Sequence, residues 1–186
     1  MVTYEVIKFI FGGTKMYDPT VFDNLKVALE NRVYDLDTIE REIRITNRSD
    51  QMDFAVLSRR FAIQFTLFHL EDVSAEIILK ASLNDLADEI LETPGENPGC
   101  SLSLRFQKHV THEKEQCDLI EESLSDIWEN EVLVTQTLSF MYGEEKSGYM
   151  NQIEVKFKTK INEENMREIP GFLHSVLDAL RVLHAV

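Results

Sequence analysis

The apolar residues of this chain change period again and again along its length, and that switching limits the folds it can adopt. TIEREIRITN, residues 38–47, alternates: Ile39, Ile43 and Ile45 fall on one side, Glu40, Glu42, Arg44 and Thr46 on the other. That is the period of a half-buried strand. DPTVFDNLKVALEN before it repeats every three to four residues, through Val21, Phe22, Leu25, Ala28 and Leu29, which is the stripe of an amphipathic helix. A chain that switches in this way is neither all-helical nor all-strand.

The same reading carried along the chain gives an ordered set of elements. Residues 3–11, TYEVIKFIF, read as a strand covered on both faces and closed by Gly12-Gly13. The first helix spans Asp18–Asn31, with Asp18 as cap and Pro19 at its first position. RSDQ after residue 47 reads as a turn. Residues 53–70 form a long extended run that needs a bend near Ser58-Arg59-Arg60. A helix from Val73 to Glu92, capped by Asp72, presents Leu79, Leu83, Leu86 and Ile90. TPGENPG, residues 93–99, ends it. Then come a strand over residues 101–109, a helix from Thr111 to Asn130 capped by Thr111, and a hairpin of 132–142 with 149–160 around GEEKSG. A final helix spans Asn162–His184 and is kinked or split at Pro170-Gly171.

Strand, helix, strand, strand, helix thus occurs twice, with the halves 1–96 and 97–186 meeting in the Pro-Gly segment. The expected fold is α+β: one domain over 1–186, a mostly antiparallel sheet with helices on one face, built as two repeats about a pseudo-twofold axis. In element order alone it is similar to the duplicated sheet-and-saddle domains of the TATA-binding-protein type. The halves share element order and no convincing residue identity.

Charge separates the chain from the DNA function of such domains. Its 186 residues carry 33 Asp and Glu against 19 Lys and Arg, a net charge of -14. Binding to nucleic acid or to an anionic membrane needs the opposite balance. The partners this favours are basic or apolar proteins. Two cysteines, Cys100 and Cys117, form no CxxC pair and point to a reducing cytoplasm. The N-terminal MVTYEVIKFIFGG does not have the layout of a signal peptide, and no apolar run reaches the roughly 20 residues of a membrane helix.

HVTHEKEQC, residues 109–117, is the one place where metal-ligand residue types crowd. His109 and His112 are its candidate ligands. The order is not the HExxH of a zinc helix, and Cys117 falls on the apolar stripe with Ile120 and Leu124. The stretch therefore reads as a strand-to-helix junction. Neither a catalytic constellation nor a cofactor motif is found. GGTK at 12–15 is too short for a phosphate loop and reads as a turn. Arg59 and Arg60 read as edge protection for their strand rather than as an anion site. The acidic run Glu113, Glu115, Asp118, Glu121, Glu122, Asp126, Glu129 and Glu131 reads as a solvated helix face, with docking of a basic partner as the alternative.

The sheet face away from the helices is expected to be the functional surface. Phe68, Leu133, Met141 and Met150 make it more apolar than a solvated face requires, and charge is expected at its rim. The expected function is a non-enzymatic interaction protein, an adaptor, chaperone-like factor or inhibitor of immunity type, acting as a homodimer. The alternative is a small-molecule-binding protein or enzyme with a pocket between sheet and helices, opened at Pro170-Gly171 and lined by Phe65, Phe68 or Phe157.

Overall fold

A computed structural model describes residues 20–91, 98–143 and 147–186. The strand expected at 3–11, the GGTK turn, the Asp18 cap with Pro19, and the centres of TPGENPG and GEEKSG lie outside the described residues. The described elements run α1 (Val21–Thr38), β1 (Ile43–Asp53), β2 (Ser58–Leu67), β3 (Leu70–Ala81), α2 (Leu83–Leu91), β4 (Ser101–Val110), α3 (Glu113–Ile127), β5 (Val132–Ser139), β6 (Tyr149–Phe157), a 3-10 turn (Glu163–Glu168) and α4 (Ile169–Ala185). The six strands form one antiparallel sheet in the order β1-β2-β3-β4-β6-β5.

Side-chain alternation decides which face the helices cover. Phe61, Ile63, Phe65 and Leu67 on β2, Val73, Ala75, Ile77, Leu79 and Ala81 on β3, Leu102, Leu104 and Phe106 on β4, and Ile153 and Val155 on β6 are all buried in one cluster. Phe22, Leu25, Leu29, Val33 and Leu36 of α1 enter the same cluster, as do Ile120 and Leu124 of α3. The central helix α4 adds Leu173, Val176, Leu177, Leu180 and Leu183. Each fully buried large side chain contributes about 1.5–3 kcal/mol by leaving water. The α+β architecture with an antiparallel sheet is as expected.

Several elements differ from the sequence reading. The long helix expected over 73–92 is a strand followed by a nine-residue helix. Alternation at 73, 75, 77, 79 and 81 places those side chains on the core face. Asp72, the expected cap, is a β3 residue whose carboxylate meets His184 at 2.8 Å. The cap is Ser82: its hydroxyl accepts from Asp85 N at 3.3 Å while Asp85 accepts from Ser82 N at 2.8 Å. With β3 a strand, the described elements read helix, three strands, helix, then strand, helix, two strands, helix. Among the described residues the repeated order is not confirmed.

The first hairpin is also displaced. Thr38 closes α1 rather than opening a strand, and Ile39, expected inside, is exposed. Glu40 and Glu42 precede β1 and pair with Arg32 and Arg181. RSDQ is strand, and the turn comes at residues 54–57, where Asp53 accepts from Ala55 N at 2.9 Å. The expected bend at Ser58-Arg59-Arg60 is the start of β2. Pro170 kinks nothing: it sits in the first turn of α4, where a missing N–H is harmless, and the 3-10 turn before it accounts for the expected split.

Candidate functional site

β5 is the outermost strand, paired only with β6 among the described residues. Its sequence is VLVTQTLS, and the charge-free stretch continues through Phe140, Met141, Tyr142 and Gly143. The strand is anchored from beneath. Asn151 on β6 is fully buried, and its amide donates to Gln136 Oε1 at 2.8 Å and to Cys117 Sγ at 3.6 Å. Gln136 donates in turn to the Cys117 carbonyl at 2.8 Å. This network ties β5 and β6 to α3, so the outer edge of β5 is held on a fixed frame. Its open-face residues Leu133, Thr135, Thr137 and Ser139 are all exposed. An edge of this kind offers a row of backbone N–H and C=O groups to another strand.

The open sheet face combines charged and apolar side chains. Its centre is charged: Glu76 on β3 takes Arg105 of β4 at 2.9 Å and Arg60 of β2 at 3.4 Å. Glu154 and Lys156 continue the charge onto β6, 3.0 Å apart. Around them lie Gln64, Ser74, Gln107, Gln152 and Thr137. Between these polar side chains the cross-strand neighbours Ala62 and Ile78 lie on the same face and are buried. Met150, Gln152, Glu154 and Lys156 do lie on it, as do Leu133, Thr135, Thr137 and Ser139. β2 presents Ala62, Gln64 and Thr66 there.

The four expected interface residues are all accessible: Phe68 39%, Leu133 59%, Met141 70% and Met150 45% exposed. They do not form one patch. Leu133 pairs with Lys156 near one end of β5, and Met150 pairs with Ser139 at the other, about 20 Å apart at ~3.3 Å per residue. Met141 follows β5 beside Met150. Phe68 lies in the β2–β3 turn, edge-on to His69 at 4.6 Å between centroids. Sequence reasoning named single greasy side chains. The continuous feature is the strand that carries Leu133, and its signal was the missing charge.

His109 faces the open side of β4, in a shallow hollow of about 270 Å³ with Met141, Met150, Phe140 and Gly148. A Cβ on Gly148 would lie 2.4 Å from the Val110 carbonyl, so glycine is required there, where φ is also +97°. His112 is the N-cap of α3, in place of Thr111. The free N–H groups of Thr111 and His112 are both taken by Gln116 Oε1, at 2.8 and 2.9 Å. Cys117 lies on α3 against Asn151. Among the described residues no three His, Cys, Asp or Glu side chains are grouped to hold a metal ion. Burial raises the pKa of both thiols, that of Cys100 to about 12, so both are protonated at neutral pH.

The chain matches no protein-family model, no curated protein and no solved structure. Among the described residues no helix is long and apolar enough to cross a membrane.

Proposed function

We propose that this chain is a non-enzymatic interaction protein that works as a homodimer, with β5 of one copy adding antiparallel to β5 of the other. The observation that supports the reading is the outer edge of β5: eight residues in regular register, without a charge, in a chain with 28% charged residues. A second copy is the occupant because of charge. Two copies at -14 repel, and a seam of neutral residues adds no like-charge pair between them. Two strands related by a twofold axis across Thr135 keep Leu133 opposite Thr137 on the open face, so one sheet of twelve strands results. The opposing effect is the acidic face of α3, which packs beside β5 in each copy.

The test is molar mass by light scattering across a dilution from roughly 1 mM to 1 µM, a span of about 4 kcal/mol in association free energy. The wild type should be a dimer that dissociates on dilution. Thr135→Lys/Thr137→Lys, at two exposed positions, should be a folded monomer throughout. A monomeric wild type, or a dimer that the double substitution leaves intact, rejects the reading.

A second reading has one observation in its favour. A cavity of about 210 Å³ lies between the end of β6 and the start of α4, lined by Leu102, Phe157, Ile161, Ile169 and Phe172 with Asn165 and Glu168 at its mouth. It is the pocket between sheet and helices that a small-molecule-binding protein or enzyme would use. A melting temperature raised by a small apolar compound in the wild type, and not in a cavity-filling Phe172→Trp, supports this reading. No rise across a fragment collection removes it.

A further inference from the structure

Arg59 and Arg60 do not protect an edge: β2 lies between β1 and β3. Arg60 instead belongs to a cross-strand row on the open face. Gln51 pairs with Arg60, Arg60 with Lys80, and Lys80 with Ser101. Arg60 and Lys80 are direct neighbours of like charge, an arrangement that costs stability in a sheet. Among the described residues no carboxylate pairs with both. Glu76 lies closer to Arg105, at 2.9 Å, than to Arg60, at 3.4 Å. Among the described residues Lys80 has no carboxylate within 4.0 Å.

The row forms one wall of a cleft of about 500 Å³ at the end of the sheet. Two further cations flank it. Arg59 is held by Asp23 at 2.8 Å, with its guanidinium 4.4 Å above the centre of the Phe22 ring. Lys160 is bound to Asp85. Eleven residues line the cleft and only Ala81 is apolar. Of the four cations on this cleft, Arg59 and Lys160 are already paired with Asp23 and Asp85, and Arg60 shares Glu76 with Arg105, which leaves Lys80 and part of Arg60 for a bound anion.

We propose that this cleft binds a small phosphorylated polyol or polyphosphate, with Arg60 and Lys80 on the phosphate oxygens. The Arg60 guanidinium offers a fork of donors that suits a phosphate, and Lys80 adds a mobile point charge. An anion between them removes the like-charge opposition. The wall carries no aromatic ring, so a nucleobase has nothing to stack on. Asp53, Ser58 and Ser101 suit the hydroxyls of a polyol. The cleft spans β1 to β4 and leaves the β5 edge untouched, so the site stands or falls independently of dimer formation.

The test is calorimetric titration with inorganic pyrophosphate and with a hexose bisphosphate, at low salt, with adenosine monophosphate as the nucleobase arm. At least one of the first two should bind saturably and more tightly than the nucleotide. Arg60→Gln and Lys80→Gln should each weaken binding by about tenfold or more, the loss of one charged hydrogen bond, and Lys114→Gln on α3 should change nothing. Without ligand, Lys80→Gln should melt no lower than the wild type, because it removes the opposed cation. The proposal is overturned by the absence of saturable heat up to roughly 10 mM, by tighter binding of the nucleotide, by an equal loss in Lys114→Gln, or by a Lys80→Gln that melts below the wild type.

Discussion

The two outer strands of the sheet solve the same physical problem in different ways. β1 is eleven residues long and carries Arg44, Arg48, Asp50 and Asp53, with a bulge between Ile45 and Asn47. Its core-side charges are tied to α1: Arg48 to Glu30 at 2.6 Å and Lys26 to Asp50 at 2.8 Å. A bulged, charged edge resists addition of a further strand. β5 has neither device. It keeps regular register with β6 and carries only neutral side chains. The lesson is that protection is local: the strong net charge of the chain is distributed so that β5 carries no charged side chain and, among the described residues, pairs on one side only.

The largest expected effect breaks the comparison on the β1 side. Phe61 on β2 is fully buried and has the Arg48 guanidinium 5.5 Å from its ring centre. Phe61→Ala should cost about 3–5 kcal/mol in denaturant unfolding, with the core under β1 lost first. Next is the conversion of β5 into an edge like β1. Thr135→Lys/Thr137→Lys should weaken association by about a thousandfold or more, or ~4 kcal/mol, while leaving the melting temperature of the monomer within a few degrees.

Smaller effects separate what holds each region. Asp85 lies at neither edge and staples α2 to the chain after β6. Burial alone would raise its pKa, but hydrogen bonds from Lys160 and Ser82 outweigh it and leave the carboxyl below its ordinary value. A depressed folded pKa gives stability that is present above the unfolded value, about 3.9, and is lost as pH falls through the folded one. Asp85→Asn should therefore cost about 1 kcal/mol at neutral pH, as for a lost cap, and its acid unfolding curve should be flatter than that of the wild type. Lys160 moves the other way: its bond to Asp85 raises its pKa, so its contribution is complete below about 10.5 and is lost at higher pH. β5 has no titratable group, so the pH dependence of association should come only from the acidic faces of α3. Arg48→Gln should cost less than about 1 kcal/mol, because the pair is partly exposed. The smallest effect is that of salt: raising ionic strength screens the two α3 faces and should tighten the dimer a few-fold.

Much of the fold could be read from the sequence where the apolar period was unambiguous. The β5–β6 hairpin, β4, α3 and the stripe of α4 are close to expectation. β3 was misread for a physical reason. Leu79, Leu83, Leu86 and Ile90 have helical spacing, yet they straddle the change from strand to helix at Ser82. The competing alternation through Val73, Ala75, Ile77, Leu79 and Ala81 is muted by its two alanines. RSDQ looked like a turn because its polar residues are satisfied by α1, a tertiary partner no local pattern reveals. The candidate site was legible in part. Leu133 and Met150 lie on the face expected of them, whereas the charged centre of that face depends on strand order, which places Glu76 between Arg60 and Arg105. The role of Arg59 and Arg60 depended on the same order.

Amide hydrogen exchange of the wild type, at roughly 1 mM and at 1 µM protein, tests the central claim most directly because it reads both edges at once. The account predicts that outward-pointing amides of β5 are protected at the high concentration and exchange on dilution, while those of β1 exchange alike at both. Protection of β5 that does not depend on concentration, or exchange of its outer amides at the rate of free peptide under both conditions, would contradict it.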